Sequence, residues 1–351
     1  AAEQVGGATL PMLAALADKS LLQQMSAGRF GLHQLLHHYA QERLEEAGET
    51  VTIRQQHLCF FLAYAEGDGP TYVRSPAWLA QIAAEYENLW MALQWAATGG
   101  TVESGLRLAF SLHVYWEMRG YWRDEYEWLT SLLALPTTEP PTLIRARVLT
   151  HAGKSALHLV DAATAAGYYT KSLAIARQHQ SAPDMAMALI GLGDSQQDHA
   201  VARTFYTESL ALSRDVGFRE GTARALTCLG HLASGAGDYA GATALYQEAL
   251  AIQQALGDQL AATGLLRNLG IGAFTQQAYQ QAEAIYEECL RTYRALGNQP
   301  GVVAVLNDLA DVALVFGDYA KAKLLYGESL SRAYELGSKW SIAWSFESLA
   351  R

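Results

Sequence analysis

Cysteine is scarce in this chain. Cys59, Cys228 and Cys289 are the only three in 351 residues, they lie far apart, and none forms a CxxC pair. That argues against both a disulfide framework and a thiolate zinc site, and it suits a reducing, cytoplasmic setting. Long apolar runs are missing too. None approaches the roughly 20 residues of a membrane-spanning helix, and the N-terminus carries no basic-then-apolar leader. Positive charge is in deficit, with 25 Lys+Arg against 35 Asp+Glu and a formal charge of -10. Binding to a phosphate backbone needs clustered cations that release counterions, so direct nucleic-acid contact is not expected.

Catalytic motifs are absent as well: there is no GxSxG, no Gly-rich nucleotide fingerprint, and no Cys or Ser beside a matched base. Gly153-Lys154-Ser155 imitates the end of a phosphate-binding loop, but the pattern needs a glycine where Val148 stands. His33 and His37 lie one helical turn apart without the Glu of an HExxH arrangement or a third ligand, so solvation or packing explains them better than a metal. The chain is therefore expected to be no enzyme and to hold no metal or cofactor of its own.

What the chain has is apolar mass and repetition. Half of its residues are hydrophobic and 17% are charged, enough for two or three domains or one extended solenoid. It does not begin with Met and is expected to be a piece of something longer. The stretch GDYAGATALYQEALAIQQALGD from Gly237 returns as GDYAKAKLLYGESLSRAYELGS from Gly317, with QAYQQAEAIYEECLRTYRALGN between them. Tyr206, Tyr246, Tyr286 and Tyr326 recur every 40 residues, and Leu210, Leu250, Leu290 and Leu330 follow one helical turn later.

Each unit reads as two helices. Ala242, Tyr246, Ala249 and Leu250 fall on one helical face, Leu226, Leu229 and Gly230 belong to the preceding helix, and Gly237-Asp238 marks the turn between them. Gly257 is placed to end the second helix in a left-handed conformation. One such hairpin cannot bury both faces, so it must stack on copies of itself. About five units run from Ile144 to Ser338, plus the opening helix of a sixth that carries Trp344 and Leu349.

Residues 8–50 differ. LPMLAALADKS leads through SLLQQ, the turn SAG and RFGL into HQLLHHYAQERLEEAG, an order of helix, strand, turn, strand and helix that suits the end of a winged helix. Trp90, Trp95, Trp116, Trp122 and Trp128 follow in a helical stretch and are expected mostly to seal its core.

The repeat resembles the tetratricopeptide repeat, in a form longer than the common one of about 34 residues; one unit matches at Leu229, Gly230, Gly237, Asp238, Tyr239, Ala242, Tyr246 and Ala249. LAALADKSLL followed by GRFGLHQLLHHYAQERL resembles the winged-helix segment of STAND-type signal-transducing P-loop ATPases, bacterial regulators of the LuxR-like and antibiotic-regulator kinds. RQQHLCFFLAYAE, WLAQIAAEYENLWMALQWA and YWEMRGYWRDEYEWLTSLLAL resemble their helical connector. The resemblance implies an all-α, right-handed tetratricopeptide-repeat solenoid with a small N-terminal winged-helix remnant. Its parts would be a winged-helix segment at 1–50, a connector of tetratricopeptide-like hairpins at 51–140, and repeats at 141–351.

That family divides its labour: an effector and a nucleotide-binding module, closed on ADP at rest, are controlled by a C-terminal repeat sensor. ADP or ATP would then belong to the full-length protein, bound by a module upstream of this chain. His33, at the place of the family's Met-His-Asp histidine, is the candidate nucleotide-sensing residue, with Leu32 and Gln34 departing from the motif. Residues 1–50 hold Lys19, Arg29 and Arg43 against Glu3, Asp18, Glu42, Glu45, Glu46 and Glu49, a balance that repels DNA.

The inducer, a small molecule or a protein or peptide, would bind the concave face. By register, that face holds Arg147, Thr150, Lys154 and His158, then Asp184, Met187 and Asp194, then Arg224, Thr227 and His231, then Arg267, Ile271 and Phe274, then Asn307 and Asp311. Arg147, Lys154, Arg224 and Arg267 would form a basic cluster for a carboxylate, phosphate or acidic segment. A merely solvated face with unrelated charges is the open alternative. Asn268 fits the usual asparagine pair that clamps a C-terminal carboxylate, while Asp308 stands where its partner would be. A standing interaction scaffold that uses the same groove without switching is the alternative function.

Overall fold

The computed structural model describes residues 2–24, 30–32, 34–67, 75–99, 101–136 and 140–336. Helices α1 (Ala2–Gly6) and α2 (Leu10–Asp18) precede strands β1 (Leu22–Gln24) and β2 (Phe30–Leu32), and α3 (Gln34–Glu46) follows. The two strands pair antiparallel, Leu22 opposite Leu32 and Gln24 opposite Phe30. Then come α4 (Thr50–Glu66), α5 (Pro76–Ala84), α6 (Tyr86–Thr98), α7 (Val102–Arg119) and α8 (Trp122–Ala134).

Five helical hairpins complete the described chain. They are α9 (Leu143–Leu159) with α10 (Ala162–Gln178), α11 (Ala182–Asp194) with α12 (His199–Asp215), α13 (Arg219–Gly235) with α14 (Tyr239–Leu256), α15 (Gln259–Thr275) with α16 (Tyr279–Leu296), and α17 (Gln299–Val315) with α18 (Tyr319–Glu335). The expected opening helix of a sixth unit, with Trp344 and Leu349, lies outside the described residues, as does His33.

The hairpins are set by their ends. Gly237 turns the chain at φ +82°, and the Asp238 carboxylate then accepts from Gly241 N at 2.8 Å, satisfying one of the free amides of α14. Asp198 and Asp318 cap α12 and α18 in the same way. Gly257 closes α14 at φ +75°, as its register suggests. In the fourth hairpin Gln277 stands where Gly237 and Gly317 stand in their units, yet it takes the same left-handed turn at φ +64°.

Packing between helices follows from a tyrosine and a glycine. Tyr246 is 5% exposed and lies flush on Gly230, where an added Cβ would come within 2.5 Å of the ring. Tyr286 meets Gly270, and Tyr169 meets Gly153, in the same way. Each buried tyrosine or leucine contributes roughly 1.5–3 kcal/mol.

A larger core joins α4 to α9, from Leu58 and Phe61 through Leu89, Leu106 and Leu112 to Leu129 and Val148. Three of the five tryptophans, Trp116, Trp95 and Trp128, belong to this core or pack against it, as the sequence suggests. Trp116 is fully buried and donates its ring N–H to Tyr86 at 2.9 Å. Trp90 is 44% exposed, because the buried face of α6 carries Leu89, Ala92, Leu93 and Ala96 and Trp90 points away from it. Trp95, Trp122 and Trp128 are half-buried.

The array also meets its own beginning. Leu260 and Leu296 pack on the core of α4–α9, and α17 touches α7. Asn298 Nδ2 lies 3.3 Å from Met118 Sδ, and Gly120 faces Pro300 and Leu336. The inner face of the solenoid is thereby a lumen rather than an open groove.

Candidate functional site

The first helix of each hairpin, α9, α11, α13, α15 and α17, lines this lumen together with α7, and side chains reach between neighbours across it. Lys154 donates to Glu117 Oε1 at 2.8 Å and stands 5.6 Å over the Trp122 ring. His158, one turn further on α9, faces the same ring at 4.4 Å. Arg147 Nε bonds Asp184 Oδ1 at 2.8 Å, and Arg267 Nη2 bonds Asp308 Oδ1 at 3.0 Å with a second bond through Nε. His231 faces Asn268 at 3.0 Å.

The basic cluster is thus not free. Three of its four cations are committed to carboxylates that stand one hairpin away, so the positive face is locally neutralised. Arg224 is the exception. It is half-buried, and among the described residues it makes no hydrogen bond or ion pair.

Two other candidates are less accessible. Asn307 on α17 is only 3% exposed, and Phe274 is half-buried against the core of the fourth and fifth hairpins, 5.3 Å from Tyr279 in an edge-to-face pair. Asp311 accepts from the Tyr326 hydroxyl, so it serves the hairpin as well as the face. Asp194 accepts from the Tyr206 hydroxyl at 2.7 Å and stays open to the lumen.

Charge and burial set the protonation states. Burial alone would raise the Glu117 carboxyl, but Lys154, with smaller help from His113 and Arg224, holds it at about 2. Glu125 on α8 is 2% exposed, and burial pushes its carboxyl up to about 8, against the pull of Lys154. His151 is held well below the usual imidazole range by burial, then by His113, Lys154 and Arg224, so it is neutral. Burial also lowers His158 and His231. The Cys228 thiol is pushed up by burial and by Asp194, so it is no nucleophile.

One cavity opens on this lumen between α9, α11 and α13, with a volume of about 220 Å³. Arg224, Lys154, His151, His158 and Asp194 supply its polar groups, and Leu157, Tyr169, Met187 and Ile190 its apolar wall. A second, of about 540 Å³, lies between α3, α4 and α6 around Ile53, Arg54, His57 and Trp95, and holds none of the candidates read from the sequence. His151 and Glu117 were missed by sequence reasoning. His151 shares the helical face of Arg147 and Lys154, a signal that was present. Glu117 belongs to the segment before the repeats, where no register pointed to it. Among the described residues no group of three or more His, Cys, Asp or Glu could hold a metal, and no helix is long and apolar enough to cross a membrane.

With that geometry in hand, the class of the fold is plain: this is an all-α solenoid of tetratricopeptide hairpins. The family model described as tetratricopeptide repeat matches residues 184–255 and 260–335, the run from α11 to α18. A Mycobacterium bovis protein named among the HTH-type transcriptional regulators is 29% identical over 147 residues, covering 40% of this chain and 17% of that protein. The match thus spans under a fifth of the relative's length. A Rap protein complexed with Competence and Sporulation Factor shares the fold at a TM-score of 0.55 and 14% identity, covering 86% of this chain and 97% of its own. NprR in complex with its cognate peptide NprX does so at a TM-score of 0.55 and 14% identity, covering 77% of this chain and 79% of that one. A STAND protein with a tetratricopeptide repeat sensor from Pyrococcus horikoshii aligns at 0.47 and 14% identity, over 98% of this chain and 58% of its own.

Proposed function

We propose that this chain is the sensor part of a STAND-type signal-transducing regulator of transcription, and that an inducer bound in the lumen controls the rest of the protein. The observation that carries this reading is Arg224: a half-buried cation that makes no hydrogen bond or ion pair among the described residues, set in a cavity whose other cation, Lys154, is paired with Glu117. An unpaired charge in a confined site is costly unless a ligand completes it. The partial match to a protein named among transcriptional regulators supports the setting. In this reading residues 1–50 are the winged-helix segment, 51–140 the connector and 141–351 the repeats. His33 would sense the diphosphate of a nucleotide module upstream.

The inducer acts only to the extent that it binds the active arrangement more tightly than the resting one. The test is thermal unfolding of the chain against a library of metabolites and short peptides, comparing wild type with Arg224→Glu. A ligand that stabilises wild type and not the variant is the expected result. Equal stabilisation of both, or none of either, refutes a sensor site at Arg224. A standing scaffold is the second reading, favoured by Tyr319 at 72% and Leu324 at 76% exposure on α18, outside the lumen.

A further inference from the structure

The cavity at Arg224 carries more than one unpaired charge. Asp194 receives the Tyr206 hydroxyl and the weak Cys228 thiol contact on the same oxygen, Oδ1, and makes no ion pair among the described residues. The other acids that feel Arg224 are already occupied: Glu117 is bonded to Lys154, and Asp258 caps α15 through Ala261 N. With Glu117 and Lys154 cancelling, the cavity presents one cation and one anion that do not reach each other.

Their placement follows from α13. Cys228 is one turn beyond Arg224 on α13 and lies 3.8 Å from Asp194. Arg224 and Asp194 therefore enter one small cavity from neighbouring helices, with the Asp194 carboxylate beside the turn of α13 that follows Arg224. The same cavity carries an apolar lining that includes Leu157, Met187 and Ile190. The volume of about 220 Å³ falls below the roughly 300–1,000 Å³ typical of drug-sized ligands.

Resting on the sensor reading above, we infer that this cavity binds a free apolar L-amino acid, its carboxylate on Arg224, its ammonium on Asp194 and its side chain against Leu157, Met187 and Ile190. A simple anion would satisfy Arg224 but face Asp194 unpaired. A simple cation would do the reverse. A zwitterion whose two charges are a few ångströms apart completes both, and the guanidinium fork suits a carboxylate.

The experiment is calorimetric titration of the intact chain with each of the 20 L-amino acids. L-Leucine, L-isoleucine, L-valine and L-methionine are the primary probes; 4-methylpentanoate, leucinamide and N-acetyl-leucine are the arms that lack one charge. Arg224→Gln and Asp194→Asn are titrated in parallel, each checked for an unchanged helical circular dichroism spectrum. Asn at 194 keeps an acceptor for Tyr206 and loses only the charge. The expected result is saturable binding of an apolar amino acid that weakens about tenfold or more in either variant and in every arm.

Three outcomes overturn the inference. Absence of binding by all 20 amino acids to folded wild type is one. Binding of 4-methylpentanoate as tight as leucine, dependent on Arg224 and indifferent to Asp194→Asn, makes the site a plain carboxylate site and leaves the sensor reading standing. N-Acetyl-leucine binding as well as leucine points to the end of a peptide instead, again without harm to that reading.

Discussion

Replacing Glu125 by glutamine should make the protein more stable, and only above mildly acidic pH. Glu125 is 2% exposed and accepts from Ser155 Oγ at 2.9 Å, with Lys154 and Glu117 the nearest charged groups. Its carboxyl is raised from 4.5 to about 8, chiefly by burial. The folded chain therefore holds this proton more tightly than the unfolded chain does. The stability this confers is complete below about pH 4.5 and is lost as pH rises toward 8. At about 1.4 kcal/mol per pH unit, the full span sets a ceiling of roughly 5 kcal/mol, with local relaxation leaving about 2–4.

Glutamine keeps the shape and the acceptor for Ser155 but cannot ionise. Urea unfolding from pH 5 to pH 9, followed by helical circular dichroism, should give matched midpoints at pH 5 and a widening advantage for Glu125→Gln above pH 6. Titrations common to both proteins cancel in the difference. A difference that stays flat with pH would show that Glu125 is ionised in the fold, and the reasoning would be wrong.

Three further outcomes are expected. Gly230→Ala should lower stability by about 1–3 kcal/mol, seen as a lower urea midpoint, because the new methyl must displace the Tyr246 ring. Gln277→Gly should raise it by roughly 0.5–1 kcal/mol, since a left-handed turn at φ +64° strains glutamine and not glycine; no gain in the midpoint would count against strain there. Lys154→Met should leave Glu117 without its cation and cost about 1–3 kcal/mol at pH 7, discounted because solvent reaches 35% of that side chain. Glu117 sits at about 2 in the wild type, so the loss should shrink as pH falls toward 4, where the unpaired carboxyl of the variant takes up a proton.

The hairpins were legible because their chemistry is local and repeated. Asp238 after Gly237, Tyr246 over Gly230 and Gly257 at the helix end act within one unit, and each copy restates them. The helix, strand, strand and helix order before residue 50 was legible because its signals, though not repeated, are local too. The free basic face was misread because pairing is a property of two units. Asp184 and Asp308 stand 37 and 41 residues from Arg147 and Arg267, and only the stacking of hairpins brings them together. Glu117 lies 37 residues before Lys154, in a segment without the repeat, so no register could place it. Asn307 shows the limit of transferring positions between units: register placed it on the groove, while it is 3% exposed on α17.

The meeting of Met118 with Asn298, and of Gly120 with Pro300 and Leu336, bears on how a displacement travels through the molecule. In a stack where each hairpin touches only its neighbours, the last one is supported on one side and its tilt is passed back step by step. Here α17 also rests on α7, so a tilt of the fifth hairpin presses directly on a helix 180 residues earlier, without passing through the hairpins between them.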